Sequence, residues 1–171
     1  SERGRAEVAA VAERLAGDGV AALYSSPLQR TRESAEIVAA RLGLPVTFHD
    51  DLIELDFGEW TGATYDAIRA DPRWHPWSTQ RSLAAIPGGE SMRAVQRRAV
   101  EALVEMGEGH RDQTVVAVSH GDVIRSILVF ALGMPLDFYG RIEIGLGSLS
   151  TIRIDAGGIL VLAVNELPRL G

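Results

Sequence analysis

Apolar positions along the chain alternate between two periods. Val8, Val11, Ala12 and Leu15 recur at helical spacing within Arg3–Ala16, and Gly17 and Gly19 close that run. A short strand, Ala21–Ser25, follows, and the loop Ser26–Arg30 leads into helical Thr31–Leu42, which ends at Gly43. Strand Val46–His49 comes after Pro45, then the irregular Asp51–Gly62 and a short helix over Thr64–Ala70. Helix Glu90–Met106 is long and amphipathic. Thr114–Val118 is a run of mostly β-branched residues, the pattern of a strand buried on both faces of a parallel sheet, and Val123–Leu132 behind it is helical. Leu149–Asp155 then alternates, Ala156-Gly157-Gly158 turns, and Ile159–Val164 returns as a hairpin. This order predicts an α/β fold: a three-layer α/β/α sandwich on a mostly parallel sheet, with one antiparallel strand near the C-terminus.

One stretch breaks the alternation. Asp71–Gly89 is punctuated by proline and holds Trp74, His75 and Trp77, which predicts a flap inserted into a single domain spanning residues 1–171. Composition removes several classes of function. No apolar run reaches the ~18 residues that span a bilayer, no signal peptide is visible, and the chain has no cysteine. The expectation is a cytoplasmic protein that engages no membrane. A net charge of −6 argues against a nucleic-acid partner. All 17 basic residues are arginine, so a phosphate pocket here must be built from guanidinium forks.

Three places carry candidate chemistry. Ser119-His120-Gly121 follows the buried strand and precedes a helix, the position where open α/β sheets bind ligands and helix amides favour anions. Arg30 lies at or near a helix N-terminus, where a cation opposes the helix dipole unless an anion joins it; pairing with Glu33 or Glu36 is the plain alternative. Glu54 sits among Leu52, Ile53, Leu55 and Phe57, surroundings that raise a carboxyl pKa and suit a general acid; a solvated loop role is the alternative. His49, His75 and His110 read as structural, flap and solvated histidines, and no pair of them has metal-ligand spacing, so no metal or other cofactor is expected.

In order, Ser26-x-Leu28-x-Arg30, Glu54-x-x-Phe57-Gly58-x-Trp60-x-Gly62, Gly88-Gly89-Glu90-Ser91 and Ser119-His120-Gly121 resemble the histidine phosphatase superfamily, the phosphoglycerate-mutase-like proteins. The resemblance extends from Ser1-Glu2-Arg3-Gly4 to Gly147-Ser148-Leu149. It implies a phosphoryl-enzyme route, with Arg30 as the second pocket arginine, Glu54 as proton donor and His120 as the second pocket histidine. The substrate implied is a small phosphomonoester, held by Arg30, His120 and Gly121, with Arg73 and Arg81 of the flap reading the rest of it. The family's nucleophilic Arg-His-Gly motif does not occur in this sequence. In the family it lies on an interior strand, so a further N-terminal segment is expected, and the chain alone is expected to be inactive. The leading reading is a phosphomonoester hydrolase acting through a phosphohistidine. A phosphoglycerate-type mutase and a non-catalytic phosphate-binding module remain alternatives, and a homodimer is left open.

Overall fold

A computed structural model describes residues 1–168 of the chain. Helix α1 (Glu2–Leu15) starts at Ser1, whose hydroxyl accepts the Gly4 amide, and its five alanine and leucine positions favour helix. Strand β1 (Val20–Ser25) leads to α2 (Gln29–Leu42), which stops at Gly43 in the left-handed conformation, φ 68°. Strand β2 (Val46–Phe48) is followed by a 3-10 turn at Asp50–Leu52, then the short helices α3 (Tyr65–Ala70) and α4 (Trp74–Thr79). Helix α5 (Met92–Gly109) is capped by the Ser91 hydroxyl on the Ala94 amide. Strand β3 (Thr114–Val118), α6 (Gly121–Ala131), β4 (Leu149–Asp155) and β5 (Gly158–Glu166) complete the order.

Strand β1 lies between two parallel partners, in the order β2-β1-β3. Its side chains alternate across the sheet. Leu23 packs with Val11, Ala12, Leu15 and Val38 of α1 and α2, and Tyr24 packs on the other face with Leu52, Ala102 and Met106 beneath α5. Helices therefore cover both faces of the parallel strands, as the pattern of the sequence predicts. Burying Leu23 alone is worth on the order of 2 kcal/mol.

The C-terminal hairpin differs in one respect from the expectation. β4 and β5 pair antiparallel as their own ladder, and among the described residues neither is hydrogen-bonded to β3. A hairpin closes its ladder through its own turn and does not need the larger sheet to form. Strand β3 consequently pairs with β1 along one edge while its other edge borders a cleft. Residues 71–89, expected as a flap, contain α4 and are anchored in the core: Trp77 and Ile86 are each 2% exposed and cluster with Leu55, Trp60 and Tyr139. Among the described residues no helix is long and apolar enough to cross a membrane.

Candidate active site

Parallel pairing decides where the loops emerge. Ser25 is in register with Phe48 on one side and with Val118 on the other, so the segments after β1, β2 and β3 leave the sheet at one edge. The edge is laced together. Ser26 N donates to Val118 O at 2.9 Å, His49 N to Ser25 O at 2.9 Å, and Ser119 Oγ to Leu52 O at 2.8 Å. Arg30, Glu54 and His120 meet there. Arg30 Nε donates to His120 Nδ1 at 3.1 Å, while Glu54 Oε2 lies 3.9 Å from Arg30 Nη2 and 4.0 Å from His120 Nδ1.

The arginine contact selects the histidine tautomer. A guanidinium only donates, so Nδ1 of His120 is the acceptor and Nε2 carries the proton, donating to Ser26 Oγ at 2.8 Å. Burial, reinforced by Arg30 and Arg98, lowers the His120 pKa to about 4. The ring is neutral at physiological pH, and its approach to Glu54 is not an ion pair. A proton on Nε2 also prevents His120 from deprotonating Ser26, so the pair is not a serine nucleophile and its base.

Glu54 moves the other way. Burial first, then the negative charge of Asp122, push its pKa up to about 7, against the opposing Leu55 amide, Arg30 and Arg98. Arg30 does not reverse the shift, because its side chain is 61% exposed and water screens its charge. A carboxyl that titrates near neutrality can deliver a proton and then recover one.

These groups stand at one end of a cleft of about 470 Å³ that continues along the open edge of β3, past Val116 and Val118, to Leu149 and the apolar face of α1. His120 caps α6, and Ile124 N is the first amide to bond back to its carbonyl. The amides of the preceding turn are thus available to an anion. A guanidinium and helix amides beside a protonatable carboxyl suit a phosphoryl group and its leaving oxygen.

The other residues singled out from sequence lie as follows. Gly121 lines the cleft. Arg73 is committed to Asp71 at 2.7 Å and Glu59 at 3.0 Å, and the structure does not bring it to the cleft. Arg81 does not line the cleft either: it is stacked between Trp77 and Tyr139, its Cζ 3.9 and 4.2 Å from their ring centres, and its buried Nη1 has no acceptor among the described residues. His49 caps the 3-10 turn, accepting from Asp51 N, His75 is exposed on α4, and His110 bridges Tyr24 and Gln113. Among the described residues no group of three or more His, Cys, Asp or Glu side chains could hold a metal ion.

Sequence reasoning missed Ser26 as the partner of His120, Asp122 as a modulator of Glu54, and Arg98. Ser26 and Asp122 are near motif residues and could have been found by adjacency. Arg98 is one of three arginines in Arg93–Arg98, and nothing local distinguishes it.

The family model described as the histidine phosphatase superfamily, branch 1, matches residues 1–167, and the chain belongs to that superfamily. Among solved structures the chain is similar to YhfR of Bacillus stearothermophilus, with a TM-score of 0.92 and 30% identity over 98% of this chain and 84% of that one. It is similar to phosphoserine phosphatase 1 of Hydrogenobacter thermophilus, 30% identical over 100% of this chain and 82% of that protein. A bifunctional protein of Mycobacterium tuberculosis is 38% identical over 92% of this chain but only 44% of its own length. The chain therefore spans less than half the length of that mycobacterial protein.

Proposed function

We propose that this chain supplies the oxyanion pocket and the general acid of a phosphomonoester hydrolase that works through a phosphohistidine. The observation that carries the reading is the meeting of Arg30, Glu54 and His120, each from a different loop, with Glu54 poised near neutrality. Relatives named as phosphatases of phosphoserine and of glucosyl-3-phosphoglycerate favour a small phosphorylated metabolite as substrate.

In this reading Arg30 and the amides of Gly121 and its neighbours bind the phosphoryl oxygens, and His120 joins them when the bound dianion draws Arg30 away from Nδ1 and a proton onto it. A histidine nitrogen attacks phosphorus, the bond to the ester oxygen breaks, and Glu54 gives its proton to that oxygen, which leaves as the alcohol. Water then attacks the phosphohistidine, Glu54 takes the water proton, and inorganic phosphate departs with the histidine restored. The attacking histidine belongs to an Arg-His-Gly strand outside these 171 residues, seated along the open edge of β3. Neither Arg73 nor Arg81 lines the cleft; Arg81, whose charge is not spent on a carboxylate, reads the remainder of the substrate only if it leaves its place between Trp77 and Tyr139.

The test is turnover of an aryl phosphate. The whole protein hydrolyses it with no added metal and is unaffected by a chelator. The 171-residue chain alone binds phosphate or vanadate but does not turn over. Chelator-sensitive activity restored by a divalent ion, or full turnover by the 171-residue chain, overturns the reading.

A further inference from the structure

Glu54 lies in a segment without regular structure, since residues 54–57 belong to no helix or strand. Its backbone groups need partners from elsewhere. Glu90 and Arg98 supply them. Arg98 Nε donates to Glu90 Oε1 at 3.0 Å and Nη2 to Glu90 Oε2 at 2.9 Å, a two-pronged pair with the arginine side chain 15% exposed. The same guanidinium reaches Asp51 O at 2.7 Å and Glu54 O at 3.4 Å. Glu90 Oε2 accepts Asp56 N at 3.1 Å, and Glu90 N donates to Asp56 O at 3.0 Å. The pair thus holds the backbone before, at and after Glu54.

The two loops are pressed together as well. A methyl group on Gly89 would lie 2.3 Å from Asp56 O and 2.8 Å from Gly58 N. Charge matters alongside contact. Arg98 acts to lower the pKa of Glu54, and Glu90 is the carboxylate bound to Arg98.

We propose that Glu90 and Arg98 are positioning residues for the acid step: together they fix the direction of the Glu54 carboxyl, and Glu90 offsets the charge of Arg98 beside it. The proposal rests on Glu54 being the general acid. The charges facing Glu54 are Arg30 from α2, Arg98 from α5 and Asp122 from α6, with neutral His120 beside it.

The test compares an alkyl phosphate, which needs a proton on its leaving oxygen, with an aryl phosphate, which does not, in the whole protein. Glu90→Gln is expected to lower kcat for the alkyl ester about tenfold to a hundredfold, the scale of a misplaced catalytic group. KM, inhibition by inorganic phosphate and aryl turnover should stay within about threefold, a loss too small to count against the scale of a catalytic group. With Arg98 no longer offset, the alkaline limb of the alkyl kcat/KM profile should move to lower pH. Arg98→Lys retains charge but loses the fork, so it should show the alkyl-selective loss without that downward move. It also carries the test if Glu90→Gln does not fold. In a Glu54→Gln background neither change should reduce the alkyl rate further.

Equal losses on both esters, or additive losses with Glu54→Gln, overturn the positioning role while leaving the phosphatase reading intact. If Glu54→Gln itself harms both esters equally, Glu54 is not the acid and both ideas fall.

Discussion

Arg30 and Glu54 touch the same imidazole, yet their removal should have different consequences. In the proposed mechanism Arg30 contacts a phosphoryl group in ground and transition states, so Arg30→Ala should raise KM and lower kcat together. It also removes a cation from beside His120, whose NMR titration should move from about 4 toward its ordinary value of 6.5. An unmoved titration would mean that burial and Arg98 set the histidine without Arg30. As the proposed acid, Glu54 acts only as the leaving oxygen gains charge. Glu54→Gln should cost roughly 10²–10⁴-fold on an alkyl phosphate and far less on an aryl one, with phosphate affinity nearly unchanged.

The pH dependence follows from the direction of the Glu54 shift. In the proposed mechanism its acid form is the active one, so alkyl phosphate hydrolysis should hold below about pH 7 and decline above it as the proton is lost. The limb should vanish in Glu54→Gln. The kcat/KM profile is the one to compare, because it reports the free protein, whereas a bound dianion pushes the carboxyl higher. A limb that survives Glu54→Gln would assign it to another group.

Among the loops, two glycines of the motifs have a mechanical explanation. Gly58 and Gly89 lie where the Glu54 segment and the Pro87–Glu90 segment touch backbone to backbone, with Glu59 N donating to Pro87 O at 2.9 Å. Gly89→Ala forces a methyl into a carbonyl oxygen and should destabilise the fold by about 1–3 kcal/mol, lowering Tm by about 2–4 °C per kcal/mol. Gly17→Ala is the control, since a methyl there meets nothing within 4 Å. Thermal melts of the two variants decide the point: equal Tm values would show that the loops separate at little cost. Trp77 and Ile86 pin residues 71–89 into the cluster that holds Leu55 and Trp60. Pro and aromatic residues in that stretch suggested a flap because the pattern lacks a single period. Its two buried anchors are separated by turns, and only packing reveals them.

Across the chain as a unit, the cleft along β3 joins the proposed phosphoryl site to an open sheet edge. An apolar trough beside unpaired strand amides is suited to an extended segment. The expected result for the 171 residues alone is therefore vanadate binding without turnover. Protection of β3 amides from hydrogen exchange should increase when a peptide containing the Arg-His-Gly strand is added. Unchanged protection would place that strand elsewhere.

The α/β class, the order of helices and strands, and the three loops carrying Arg30, Glu54 and His120 were legible in the chain because periodicity and turn residues are local signals. That these loops share an edge followed once the strands were read as parallel. The rest depended on distant pairings. The His120 tautomer is set by Arg30 and Ser26, 90 and 94 positions away, and the Glu54 pKa by burial and by Asp122 and Arg98 from two other helices. Arg98 looks like any arginine on an amphipathic helix until α5 is laid against the Glu54 segment. Charge and hydrogen-bond energies depend on distance through space and on exclusion of water, and neither is a property of neighbours in sequence.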